Sequence, residues 1–265
     1  MIKFGLTSDF ILKPLTFYLE ARQLKHPFEL EVHTPEENVQ KLLRGELDLA
    51  VISPLEYALH SSELKIFSPL GVVSNRESRV ALLFFQENLP SFHTVMFPMP
   101  KDIYYHLTRI SLMEFYEMEI EWKGVSQMPP EVQTALESCD AALYTRNTAL
   151  DAYVQNDTRL DMVEEWCDKS AVPFVHLMIV SRQDAKVTPA LEWIEKSFEL
   201  GRRNILAIAE HFARDRENPA SYYFEILQEY YHYELQPEEH NGLKELFNYL
   251  YYYGVTDFLP ELHWM

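Results

Sequence analysis

The chain has 265 residues, enough for one large domain or two compact lobes, and its 47% hydrophobic and 24% charged residues exclude a disordered polymer. Its 23 basic against 41 acidic residues give a net charge of -18, which excludes nucleic acid and anionic membrane surfaces as partners when no basic patch offsets it. Only seven glycines occur and no GxGxxG or GxxxxGK[ST] run, so a glycine-built nucleotide cradle is excluded as well.

In chain order, Ile2–Thr7 reads as a strand and Pro14–Arg22 as a helix with proline in its first turn. Phe28–His33 is a second strand. Thr34-Pro35-Glu36-Glu37 opens the next helix: Thr34 caps, Pro35 suits the first helical position, Glu37 closes a capping box, and Gly45 is the stop. Leu47–Ser53 is an apolar third strand, so the order is β-α-β-α-β and implies a mostly parallel sheet with helices on its faces. Extended runs follow at Lys65–Ser74 and Arg79–Gln86. The alternation then restarts: strands Thr94–Pro98, Glu119–Val125 and Ala141–Thr145 alternate with helices Lys101–Tyr116, Pro130–Glu137 and Asn147–Gln155. Met162–Trp166 and Pro173–Ser181 read as a strand pair. The last third is helical, at Pro189–Arg214, Ala220–Tyr231 and Pro237–Tyr253.

This pattern predicts two α/β lobes, residues 1–88 with 182–265 as one and 89–181 as the other. The chain is expected to cross near Gln86–Pro90 and return near Val175–Ser181. A cleft between such lobes would offer strand ends and helix N-termini to a small anion. Met1–Leu6 begins as a strand with no basic and apolar leader, and no run approaches about 18 apolar residues, so a cytoplasmic protein without a membrane span is expected. Cys139 and Cys167 are too few for a disulfide framework or a cysteine zinc site and read as reduced core thiols. The ten histidines lack HExxH or other metal spacing, and His106 reads as a satisfied helix histidine; no metal is expected. The tyrosines of the tail leave two readings open, packing on the lobes or a homodimer surface.

Residues 43–58, LRGELDLAVISPLEYA, resemble the "geLDvAliSsvEYa" signature of the menaquinone-biosynthesis family of the futalosine route. DMVEEW at 161–166 followed by VPFV at 172–175 is similar to the "DLgeeW…LPFVfA" stretch of its chorismate dehydratase branch, and YYHYEL at 230–235 with NGLKELF at 241–247 is similar to the end of that branch. The resemblance implies a two-lobe type II periplasmic-binding-protein-like fold with a helical C-terminal segment. It also implies a cofactor-independent lyase that removes water from chorismate to give 3-[(1-carboxyvinyl)oxy]benzoate. Several site motifs depart from the family. Ile11 stands at the Asn of "G-r-i-s-Y-L-N-x-x-P", Arg79 at the first serine of "SVlLfS", Phe97–Ile103 replaces the "tSrTS" turn, and Thr145-Arg146-Asn147 replaces "IGD".

A carboxylate ligand needs cations and N–H donors. The expected cations are Lys13, Arg79, Lys101 and Arg146, each near a strand end, with a solvated surface cation as the alternative for each. Asp9, in the turn after the first strand, is the expected acid/base residue, or else a turn aspartate bonding its own backbone. Ser8, Ile11, Ser53, Asp102 and Asn147 complete the expected ligand-binding set; helix capping is the other reading of Ser53. Two functions stay open: a chorismate dehydratase-like lyase, and a non-catalytic binding protein or diverged paralogue that holds a small organic anion.

Overall fold

The computed structural model describes residues 1–21, 24–86, 91–187 and 190–265. The chain starts with β1 (Ile2–Leu6), a 3-10 turn at Phe10–Leu12, α1 (Lys13–Glu20), β2 (Phe28–Val32), α2 (Pro35–Leu43), β3 (Leu49–Ile52), α3 (Pro54–Leu59) and β4 (Leu64–Ser74). Next come β5 (Ala81–Phe85), β6 (Thr94–Pro98), α4 (Ile103–Tyr116), β7 (Glu121–Val125), α5 (Val132–Leu136), β8 (Ala141–Thr145), α6 (Arg146–Ala152), β9 (Arg159–Asp161) and α7 (Met162–Ser170). It ends with β10 (Phe174–Arg182), α8 (Leu191–Arg203), α9 (Ile205–Ala213), α10 (Ala220–Glu225), β11 (His232–Glu234) and α11 (Pro237–Tyr252).

Met1–Ser74 and Pro173–Met265 form one unit, and Asn75–Val172 the other. The borders therefore fall at 74/75 and 172/173, and not at 88/89 and 181/182. β5 ladders with β8 and β9, whereas β10 ladders with β3 and β4, so each strand sits in the unit opposite to that expected. An apolar run announces a strand but not its hydrogen-bonding partner. Residues 87–90 of the expected crossing lie outside the described residues, as do Arg22 and Pro189 of two expected helix ends.

The first unit carries a sheet in the order β11-β4-β10-β3-β1-β2. It is mixed and not mostly parallel: β1 runs parallel to β2 and β3, while β10 and β11 enter antiparallel from the far end of the chain. Thr34 and Glu37 form the expected capping box of α2. That helix buries Asn38, whose Nδ2 donates to the carbonyls of Leu6 (3.1 Å) and Val51 (2.9 Å) and so ties β1 to β3. Gly5 makes room for it, because a Cβ there would stand 2.2 Å from the Asn38 Oδ1. Among the tail tyrosines, Tyr223, Tyr231 and Tyr233 are buried within this unit, whereas Tyr251 and Tyr252 are exposed.

The second unit carries a sheet in the order β7-β6-β8-β5-β9, with β6 parallel to β7 and β8, and β5 antiparallel to β8 and β9. Its core includes Leu82, Phe84, Met96, Val132, Leu136, Ala142 and Tyr144. Met162–Trp166, expected as a strand, is the start of α7. Asp161 ends β9 and caps this helix by accepting from the N–H of Val163 and Glu164, and Met162, Val163, Trp166 and Cys167 form its buried stripe. Cys139 and Cys167 are both buried, and neither is part of a disulfide.

Candidate functional site

The expected site residues divide between the two units, and each group has its own geometry. In the first unit they lie at the ends of β1 and β3. Ser8 is exposed, whereas Asp9 is buried and precedes the 3-10 turn without capping it through its side chain. Ile11 has its side chain in the core and its carbonyl hydrogen-bonded by the buried Tyr233 hydroxyl at 3.1 Å. The Lys13 ammonium is paired with Glu20 at 2.6 Å. Ser53 is fully buried: its hydroxyl accepts from the Leu55 N–H and donates to Glu56 at 2.5 Å, completing a capping box. Of the two readings of Ser53, the cap is the one its contacts satisfy. Thr7, which no sequence motif marks, has a buried hydroxyl with no hydrogen-bond partner among the described residues, right at the end of β1.

In the second unit the expected residues come together at one end of the sheet. The start of β5 and the end of β8 coincide, since Ala81 pairs with Thr145, and β6 runs beside β8 in the same direction. Arg79 therefore precedes one strand where Arg146 follows its neighbour, and the Arg146 N–H donates to the Val80 carbonyl at 2.7 Å. Lys101 and Asp102 follow β6 at this same end. Asp102 caps α4 through the N–H groups of Tyr104 and Tyr105, and its other oxygen pairs with Arg146 Nε at 3.2 Å. Burial raises the Asp102 carboxyl above the ordinary aspartate range, against the opposing pull of the Arg146 charge and the N–H bonds. Lys101 is exposed, 5.1 Å from the centre of the Tyr105 ring, and Asn147 is half-buried in the first turn of α6.

Both arginines hold a left-handed backbone, φ 60° at Arg79 and 56° at Arg146. Glu117 and Ala171 do so as well, but each ends a helix, where this conformation is routine. The two arginines sit at strand ends, where it costs roughly 1–3 kcal/mol for a residue with a side chain. Arg79 is only 6% exposed. Its Nε donates to Glu77 at 2.9 Å, and its guanidinium lies 4.2 Å from the centre of the Tyr153 ring. Tyr153 donates its hydroxyl to the same Glu77 oxygen at 2.9 Å and also carries Arg159, 3.8 Å from its ring centre. Glu77, Tyr153 and Arg159 are additions to the site; no motif in the sequence marks them.

His106, one turn into α4, is not satisfied as expected, because its Nδ1 is buried with no partner among the described residues. Burial, then the nearby charges of Arg109 and Lys101, push its imidazole down to about 4. Among the described residues no cluster of His, Cys, Asp and Glu could hold a metal ion, and no helix is long and apolar enough to cross a membrane.

The family model described as menaquinone biosynthesis matches residues 2–252. The chain belongs to the menaquinone-biosynthesis family. A role in menaquinone synthesis follows from that membership. Within this family protein, Arg146 occupies the place of the glycine in the resembled "IGD" motif, and a left-handed φ is what that glycine would accept without strain. Solved structures agree on the fold. Protein AF1704 from Archaeoglobus fulgidus is similar at a TM-score of 0.75 and 16% identity, over 96% of this chain and 98% of that one. The periplasmic aliphatic sulphonate binding protein SsuA from Escherichia coli is similar at 0.69 and 12%, over 98% and 89%. The alkanesulfonate-binding protein SsuA from Xanthomonas axonopodis pv. citri, bound to MOPS, is similar at 0.62 and 10%, over 98% and 94%. The menaquinone-biosynthesis chain thus has the periplasmic-binding-protein fold.

Proposed function

We propose that this family member is a chorismate dehydratase-like lyase of the futalosine route, converting chorismate to 3-[(1-carboxyvinyl)oxy]benzoate. The observation that carries the reading is the pair of left-handed arginines at adjoining strand ends. The fold would be more stable with glycine at either place, so strain is retained there for what the side chains do. Chorismate bears two carboxylates, and guanidinium forks are the side chains best matched to carboxylates. Arg79 and Arg146 are the carboxylate-binding pair in this proposal, with Lys101 and Asn147 beside Arg146 and with Asp102 orienting its guanidinium. The reaction breaks a ring C–H bond and the adjacent C–OH bond, leaves an aromatic ring and releases water. Neither carbon skeleton nor net oxidation level changes, so the chemistry requires a base and charge stabilisation, with no redox partner.

Incubating the protein with chorismate and separating the products chromatographically tests this; the aryl ether should accumulate. No turnover at high protein concentration would exclude the lyase. The second reading, non-catalytic retention of a small organic anion in the cytoplasm, draws on a different observation. Ile11, at the place of the asparagine in the resembled motif, is an apolar side chain in the core and offers no polar group for the chemistry. The sulfonate-binding structures show that the fold accommodates small anions in other proteins. If this reading holds, carboxylates or sulfonates raise the melting temperature and no product forms.

A further inference from the structure

The Asp161 carboxylate sits between two segments. From the α7 side it accepts the N–H of Val163 (3.0 Å) and Glu164 (3.3 Å), an ordinary cap. From the β5 side it accepts the N–H of Ser78 (2.8 Å), the Ser78 hydroxyl (3.1 Å) and the N–H of Arg79 (2.6 Å). The shortest of these bonds is to the residue with φ 60°. Consecutive N–H groups aimed at one buried carboxylate form a small nest, and charge-assisted bonds of this kind are about twice as strong as neutral ones. That is enough to offset the strain of one left-handed residue. The Ser78 hydroxyl also accepts from the Val80 N–H at 3.3 Å, so the turn is held on both sides of Arg79.

We infer that Asp161 is a positioning residue for Arg79: its carboxylate imposes the left-handed turn that sets the guanidinium over Tyr153 and against Glu77. The inference rests on the proposed role of Arg79 in binding a carboxylate. Capping α7 requires only one side of the carboxylate, and the three bonds to Ser78 and Arg79 go beyond that duty. They also account for an arginine in a conformation that would otherwise revert.

Asp161→Asn tests it, because the carboxamide keeps one acceptor and turns an NH2 toward N–H donors. Arg79→Ala and Arg79→Gly are made in the full chain, each with and without D161N. Both lack the guanidinium, so the difference between their melting temperatures reads the backbone alone. With Asp161 present, the glycine variant should melt roughly 2–4 °C above the alanine variant. With D161N the gap should vanish. A gap that persists overturns the inference whatever the ligand proves to be. Calorimetric titration with chorismate supplies the second readout. D161N should weaken binding about tenfold in wild type and change it less than about twofold in R79A. Equal losses in both backgrounds would reduce Asp161 to a general structural role and overturn the inference. A wild type that fails to bind chorismate, with the gap behaving as stated, would refute the proposed substrate and leave the positioning intact.

Discussion

Arg146 sets local preference against the fold, since a residue with a side chain occupies a glycine conformation at the end of β8, as Arg79 does before β5. The Arg146→Gly variant should therefore be more stable than Arg146→Ala by about 1 kcal/mol in urea unfolding, while both lose affinity for a dicarboxylate. An alanine variant as stable as the glycine variant would show that the backbone bears no strain. His106 makes a second residue-level prediction. Its imidazole lies at about 4 in the folded chain against an ordinary 6.5. The folded value is the lower, so the unfolded chain binds the proton first. Stability from the neutral ring is present above about pH 6.5 and is lost as pH falls toward 4, by roughly 3 kcal/mol. His106→Gln should flatten the difference in unfolding free energy between pH 7 and pH 4 by that amount; an unchanged slope would place the loss elsewhere. Little of this was legible beforehand. The resemblance pointed to positions 79 and 146, but φ is not written in an arginine codon, and nothing marked Glu77, Tyr153 or Asp161 as partners.

Elements were more legible where end signals are local. Thr34, Pro35 and Glu37 specified the start of α2, because capping is chemistry among neighbours. The segment 162–166 is a helix and not the expected strand: Met162, Val163, Trp166 and Cys167 fall at helical spacing around Glu164 and Glu165, and the cap at Asp161 starts the helix. The expected Pro189–Arg214 helix breaks at Asn204, whose side chain turns back to the Leu200 carbonyl and separates α8 from α9. Contacts between distant elements could not be read at all. Gly201 of α8 is an example: a Cβ there would stand 2.0 Å from the Pro14 carbonyl oxygen of α1. Gly201→Ala must push the helices apart and should cost about 3 kcal/mol, read from the urea midpoint. A loss under about 0.5 kcal/mol would mean that α1 yields freely. The tail acts similarly through Phe10, which stacks on Phe212 at 4.2 Å and meets Tyr223 edge-on at 5.3 Å, so α9 and α10 grip the turn that follows Asp9.

For the molecule as a whole, the charge of -18 and the scarcity of glycine take on positive meaning. Excess acidity raises the cost of folding, so raising salt from about 10 mM to about 150 mM, which shortens the Debye length from roughly 30 to roughly 8 Å, should raise the melting temperature. A fall would show that specific ion pairs outweigh the general repulsion. The same acidity makes a small anion dependent on cations gathered locally, and the second unit gathers Arg79, Lys101 and Arg146 at one end of its sheet. The most direct test is calorimetric titration of chorismate into wild type, R79A and R146A. Wild type should bind, and each variant should bind at least about tenfold more weakly while remaining folded. No binding by wild type, or variants that bind as wild type does, would contradict the assignment of this sheet end as the carboxylate site.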